Sequence, residues 1–357
     1  MTKKPLSMIL TKSLVCGNLK LTTAVRRGAM NLQSFQIQKN DSGQRLDRFI
    51  GKLCPTLPTP LLYKYIRKKR IKVNRRKPEV SYRLAEGDVV ELYIHDDFFK
   101  KPAKSSIFLQ AKPTFSIVYE DENLLLVDKP PGVAVQTDAQ VKYDSLVDQI
   151  QLYLYQHGSY NPSQELSFSP AVCNRLDRGT GGIVIAAKTA EALRSMNALI
   201  RSRALCKQYL CAVCGKPPAM QGVLRCYLRK DAAHNRVTVL AQAQPNAKYS
   251  VTQYRVLCTE QGLSLVEATL QTGRSHQIRA QFSHAGFPLL GDDKYGNRAL
   301  NQRYGMHSQA LYAYRITFPE LPDSHLFHGL SGRSFCVSSV PFCSLFSACK
   351  GGLPNAR

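Results

Sequence analysis

Asp177 is the carboxylate best placed for chemistry. It stands between Arg175 and Arg178 in the stretch Ala171-Val-Cys-Asn-Arg-Leu-Asp-Arg-Gly-Thr-Gly-Gly-Ile-Val-Ile-Ala-Ala-Lys188. The polar residues read as a turn, and the apolar run Ile183 to Ala187 as a buried strand. A lone acid at such a place is either a structural ion pair or a chemical centre. Taken alone, an Asp in an Arg-rich turn is more often the former. Arg274 and Arg279, in a separate helix-forming stretch, add cations that would hold a carboxylate ionised and aimed.

Other chemistries find no footing. His276 and His284 have no Cys or acid at a ligand spacing, so no metal is expected there. Cys211 and Cys214 form a CxxC inside a strand pattern, where positions three apart point to opposite faces. Gly179-Thr-Gly-Gly lacks the Lys-Ser/Thr ending of a phosphate loop, and no Gly-x-Ser-x-Gly elbow is present. Asp292-Asp293 and Glu120-Asp121-Glu122 read as loop acids without a sign of convergence.

The partner is foreshadowed by charge. The chain of 357 residues has a formal net charge of +24, and that excess opposes compaction unless a polyanion shares it. Residues 1–110 hold 23 Lys and Arg against 8 Asp and Glu, a net of +15. Eleven scattered cysteines without a framework fit a reducing, cytoplasmic setting. No apolar run reaches the ~18 residues of a membrane span. Residues 1–34 read as a basic tail, disordered or an over-extended start with Met30 as the true beginning, and the composition of the first 30 residues also admits an organelle transit peptide.

Several elements must position these groups. Leu46, Phe49 and Ile50 open a helix, Leu61 to Arg70 make a second, and Ile71 to Asn74 a short strand. Within 64–77 stand nine Lys and Arg and no acid. Residues 35–95 thus form a small basic domain. Its expected nucleic-acid contacts are Arg45, Lys64, Arg67, Lys68, Lys69, Arg70, Lys72, Arg75 and Arg76. Residues 96–113 read as a linker. A second domain, 114–320, begins with strand, acidic turn, strand and a Lys-Pro-Pro-Gly corner. A helix follows at 144–157, another at 190–203, a strand at 207–213 carrying Tyr209, and a strand at 263–270. The stretch 271–286 turns into a helix, with Ser275 as N-cap. Residues 321–357 read as irregular.

Two resemblances follow from these blocks. Residues 35–95, through Arg-Leu-Asp-Arg-Phe49, Ile66-Arg-Lys-Lys-Arg-Ile-Lys-Val-Asn74 and Glu86-Gly-Asp-Val-Val90, resemble the small RNA-binding domain first recognised in a ribosomal small-subunit protein. The second domain resembles the pseudouridine synthases of the RluA class. The matching blocks are Tyr119-Glu-Asp-Glu-Asn-Leu-Leu-Leu-Val-Asp-Lys-Pro-Pro-Gly132, Asn174-Arg-Leu-Asp-Arg-Gly-Thr-Gly-Gly182, Lys207-Gln-Tyr209, Gly273-Arg-Ser-His-Gln-Ile-Arg279 and Leu290-Gly-Asp-Asp-Lys-Tyr-Gly296.

This resemblance implies an α+β fold, a mixed, mostly antiparallel sheet with flanking helices and a central RNA-binding cleft. It implies Asp177 as the catalytic aspartate and Tyr209 as the residue that stacks on the base and serves proton removal. Arg279 would pair with Asp177, Arg175 would fill the gap left by a flipped nucleotide, and Ile278 would pack beside the uracil. The implied reaction is an isomerisation needing no cofactor and no metal. The implied partner is RNA, most of all large-subunit ribosomal RNA, with the protein acting as a monomer. The alternatives are a transfer-RNA enzyme of the same class, or a non-catalytic RNA-binding protein that assists ribosome assembly. Two positions depart from the family pattern: Asn174 replaces the common His, and Gly181 the usual Ser.

Overall fold

Four apolar residues at helical spacing, Leu46, Phe49, Ile50 and Leu53, are buried along one side of the first helix, α1 (Leu46–Leu53). The computed structural model describes residues 31–99, 108–137, 144–349 and 352–353. They divide into two units. One holds the chain up to Ser105 together with Asn161–Phe168, the other Ser106–Tyr160 and Ser169–Arg357.

In the first unit, α2 (Thr59–Arg67) starts with Pro60 in its first turn, where the missing N–H costs nothing. β1 (Asn31–Gln36), β2 (Ile71–Val73) and β3 (Val89–Ile94) form an antiparallel sheet in the order β1-β3-β2. Asn74 and Arg75 have φ of 49° and 64°, while Val73 and Arg76 exchange backbone hydrogen bonds. Such a two-residue turn presents Arg75 and Arg76 at an exposed tip.

Several boundaries differ from expectation. The expected basic tail 1–34 overlaps β1, because Phe35 faces the core opposite Val90; residues 1–30 lie outside the described residues. In the expected linker 96–113, Phe98 and Phe99 pack on the first unit's core, while Phe108 and Ala111 are buried in the second. The loop Asn161–Phe168 belongs with the first unit, although it falls within the expected second domain. Ser167 donates to buried Asp41 at 2.5 Å, and Leu166 packs against that core.

The second unit is built on one sheet. Its strands are β4 (Ser116–Glu120), β5 (Leu124–Lys129), β6 (Ala171–Val172), β7 (Gly181–Ala187), β8 (Cys206–Cys214), β9 (Gln221–Asp231), β10 (Arg236–Leu240), β11 (Ala247–Glu260), β12 (Leu263–Leu270), β13 (Leu311–Thr317) and β14 (Ser334–Cys336). The main path runs β10-β9-β11-β12-β8-β13-β7-β5-β4. Among the described residues only β7 and β13 pair in parallel. The fold is α+β, with a mostly antiparallel sheet.

Both faces of the central strands are covered. α3 (Leu146–Gln156) and α5 (Gln277–His284) pack on one side with Tyr209, Cys211 and Val213. α4 (Ala190–Ser202) packs on the other with Leu210, Ala212 and Cys214. The CxxC sulfurs therefore serve opposite cores. Burial on both faces also explains the unbroken apolar run of β7. A further short helix, α6 (Arg298–Arg303), precedes β13.

The C-terminal segment 321–357 is not merely irregular. Phe327, Leu330, Phe335, Val337, Val340, Phe342 and Phe346 are buried in the α4-side core, and β14 pairs with β13. Its apolar residues follow no helix or strand period, so pattern reading passes them over.

Candidate active site

The turn carrying Asp177 is held from three directions. The Asn174 side chain accepts from Ile185 N at 2.8 Å and donates to Ile183 O at 3.2 Å, extending the pairing with β7. Thr180 N donates to Asp177 O at 3.0 Å, and the Thr180 hydroxyl accepts from buried Gln309 at 3.0 Å. Arg178 turns away from Asp177: its Nε donates to Gly132 O at 2.9 Å, and its own carbonyl accepts from Gly132 N and from Lys129 Nζ.

Lys129 is fully buried and also donates to Pro130 O and Val133 O, both at 2.9 Å. Burial lowers its pKa to about 8, while Asp177 and Asp128 work in the other direction. One buried ammonium thus ties the Lys-Pro-Pro-Gly corner to the Asp177 turn.

Both glycines after the turn are dictated by packing. A Cβ on Gly181 would lie 2.2 Å from the Tyr312 ring. One on Gly182, whose φ is +111°, would lie 2.3 Å from Ala313 O. These are the points where β7 meets β13, at Tyr312↔Gly181 and Ala313↔Gly182. The close parallel approach, with the Tyr312 hydroxyl donating to Asp128 at 2.8 Å, accounts for the departure at 181. The departure at 174 leaves a side chain well suited to bonding the backbone.

Arg279 is the central cation. It is buried on α5, and its Nη1 donates to Asp177 Oδ2 at 2.9 Å across 102 residues of sequence. Its Nε and Nη2 make a bidentate pair with Asp292 at 2.7 and 2.8 Å, and Nη2 reaches Asp293 at 3.2 Å. Asp292 is also buried, which raises its pKa. The Arg279 bonds and charge, with the N–H groups of Tyr295 and Lys294, outweigh burial and lower it. For Arg279 burial acts against the charge, yet Asp292 and Asp177 keep its pKa above the usual value. Asp292 and Asp293, expected to be unconnected loop acids, therefore converge on the guanidinium that aims Asp177.

Arg274 does not join them; its Nε donates to Tyr249 O at 3.4 Å. The α5 N-cap is His276 in the left-handed region (φ 50°), not Ser275. His276 Nε2 lies 3.9 Å from Asp177 Oδ2, and its Nδ1 bonds the Tyr295 hydroxyl at 2.9 Å. Burial lowers the His276 pKa against the pull of Asp177.

Asp177 opens into a cleft of about 840 Å³ shared with Arg175, Lys207, Tyr209 and Arg274. Among the described residues, seven that line it are Lys or Arg, and Asp177 is the only acid. Tyr209, on β8, is buried at the cleft floor; burial, then the Asp177 charge, raise its pKa and keep the phenol neutral. Arg175 is exposed on the cleft wall. Ile278 is buried in the same core as Tyr209. The arrangement can hold a polyanion and present one carboxylate, its geometry fixed from behind, to a group lodged beside a tyrosine ring.

In the first unit, Lys64, Arg67, Lys68, Lys69, Arg75 and Arg76 are exposed, and Arg70 and Lys72 lie over the Tyr65 and Tyr93 rings. Arg45 differs from its expected role as an open contact, since it is ion-paired with Asp47 at 2.8 Å.

Known proteins share this sequence and fold. Residues 123–284 match the model of the RNA pseudouridylate synthase family. An uncharacterized RNA pseudouridine synthase of Mycoplasma pneumoniae is 33% identical, over 88% of this chain and 98% of its own length. The chain belongs to the RNA pseudouridine synthases. Ribosomal large subunit pseudouridine synthase C of Vibrio vulnificus is 31% identical, over 80% of this chain and 88% of its own. The human RNA pseudouridylate synthase domain containing 1 shares the fold, with a TM-score of 0.51 at 22% identity, covering 70% of this chain and 90% of that one. The synthase is thus an RNA-modifying isomerase. Among the described residues no group of His, Cys, Asp and Glu is arranged to hold a metal ion.

Proposed function

We propose that this synthase isomerises uridines of large-subunit ribosomal RNA, with Asp177 as the catalytic carboxylate. The observation that carries the role of Asp177 is its place, among the described residues, as the single acid of a cleft whose lining includes seven Lys and Arg, held by buried Arg279. The ribosomal target is supported by the similarity to the Vibrio enzyme and by the basic first unit.

The reacting atoms of a uridine lie inside the RNA stack, so the nucleotide must flip out. Arg175, exposed on the cleft wall, takes the vacated space. Asp177 acts at the sugar carbon, the bond from N1 to C1′ breaks, the freed uracil turns, and C5 joins C1′. C5 loses a proton and N1 gains one, so the isomerisation balances without a co-reactant. Asp177 enters this step as a carboxylate aimed by Arg279. Tyr209 offers its ring to the base. As a neutral phenol it relays the C5 proton and does not stand as a ready phenolate base. Ile278 packs beside the uracil. The exposed basic side chains of the first unit hold RNA phosphates, and the reduced cysteines fit a cytoplasmic place of action.

The test is a map of pseudouridines in ribosomal and transfer RNA from cells with and without the gene, repeated with Asp177→Asn. A ribosomal uridine converted only in the presence of the unaltered protein is expected, with RNA binding retained by the variant. Product from Asp177→Asn would remove Asp177 from the mechanism. A mark confined to transfer RNA would reassign the substrate.

A further inference from the structure

The sheet continues past the elements that cover its α4 side. On the α5 side, Cys226 and Leu228 of β9 and Val237 of β10 close against Ala280. The alternate residues of β9 face the other way: Val223, Arg225, Tyr227 and Arg229. Opposite them on β11 stand Gln253, Val251, Tyr249 and Ala247. Tyr249 is 46% exposed and Val223 37%, high values for sheet residues of this size. The Tyr227 and Tyr249 rings are cross-strand neighbours, with centroids 5.3 Å apart and planes tilted by 52°.

A shallow groove of about 500 Å³ lies on the same face, over Val223, Gln253 and Arg255. Its one carboxylate, Glu267, is buried and bonded to Arg255 and to the Tyr314 hydroxyl. Asp231 at the strand end is taken up by His234. Among the described residues Arg229 meets only the neutral amide of Gln244. The face thus offers aromatic surface and positive charge, with no uncommitted acid among these residues.

The face shares its strands with the cleft but lies on the other side of the sheet. Arg274 and Lys230 line the cleft, and Arg274 donates to the Tyr249 carbonyl, while the Arg225, Tyr227, Arg229 and Tyr249 side chains stand on the opposite face. We propose that Tyr227 and Tyr249, flanked by Arg225 and Arg229, form a second RNA subsite on the face of the sheet away from the cleft, where they stack unpaired bases of the same RNA. The inference rests on the RNA-modifying activity proposed above. Stacked rings with nearby guanidinium groups suit single-stranded RNA, because every base has a face to stack and each linkage a charge to neutralise.

The test uses the full chain and a large-subunit RNA transcript, reading pseudouridine formation and filter binding across salt. Tyr227→Ala with Tyr249→Ala should raise KM and Kd about tenfold, as loss of a stacked base does, with the loss in KM rather than kcat. The double Phe variant should behave as the unaltered protein. Arg225→Ala with Arg229→Ala should flatten the salt slope by about 1.4, from ~0.7 per single-strand phosphate. Circular dichroism confirms that each variant is folded. Unchanged affinity in the double Ala variant overturns the proposal. So does unchanged RNA affinity with altered sedimentation, which would make the face a self-association surface. If the unaltered protein forms no pseudouridine on any RNA, the reading of its target fails. The subsite is then still decided by the binding arm.

Discussion

Asp292 touches no substrate in the reading above, yet its removal should be costly. The carboxylate accepts four N–H groups. Oδ2 takes Arg279 Nε at 2.7 Å, and Oδ1 takes Arg279 Nη2, Lys294 N and Tyr295 N at 2.8, 2.9 and 3.0 Å. In Asp292→Asn, the amide oxygen can keep the three bonds of Oδ1. Its NH2 then faces the Arg279 Nε–H, donor against donor, in a site shut off from water. One charge-assisted bond is lost, about 1.5–3 kcal/mol, and a buried donor is left unpaired. Breaking a buried pair outright costs about 3–5 kcal/mol, so a loss near 3 kcal/mol is expected. Asp293 is the control: it is largely exposed and meets Arg279 at 3.2 Å, so Asp293→Asn should cost less than about 1 kcal/mol.

Urea unfolding followed by far-ultraviolet circular dichroism reads both variants, since the chain has no Trp. The pH dependence adds a second reading. The folded pKa of Asp292 lies below its unfolded value, so its stabilisation is complete above the unfolded value of about 3.9. It is lost as pH falls further, through the folded pKa. The gap between the unaltered protein and Asp292→Asn should therefore be full at neutral pH and shrink below about pH 4. The rate should fall as well, by about 10- to 100-fold, because Arg279 loses the anchor that aims Asp177. Equal stability of Asp292→Asn and Asp293→Asn at neutral pH would refute the reasoning.

Gly181→Ser would place a Cβ 2.2 Å from the Tyr312 ring. We expect a loss of about 1–3 kcal/mol in a thermal melt, recovered in part by adding Tyr312→Val. An unchanged melting temperature would contradict the close approach of β7 and β13. Asn174→Ala removes two bonds to the β7 backbone and should cost about 1–3 kcal/mol. Single-turnover assays should show kcat reduced with RNA affinity kept; a normal kcat would mean that the turn holds its shape without them.

Local patterns made much of the frame legible. β7 and β12 declare themselves by apolar runs of strand length, and α3 and α4 by helical periodicity. Two distant cations, Arg274 and Arg279, were candidates for Asp177 from charge alone, but the choice of Arg279 was legible only through the family blocks, since no local pattern links positions 102 residues apart. What escaped pattern reading depends on contacts between distant segments. Asp292 looks like any loop acid until α5 brings Arg279 onto it. Asn174 looks like a loss from the family motif until its amide is seen completing the β7 ladder. Gly181 carries no signal of its own, because its reason is the ring of Tyr312 on a neighbouring strand. A Cβ at 181 would meet the Tyr312 ring at 2.2 Å, so Gly181 fits the tyrosine that faces it across the β7–β13 contact. An altered residue beside a reactive group is therefore weak evidence against activity unless its partner across the sheet is known. Here the partners at both altered positions leave the link from Asp177 to Arg279 intact.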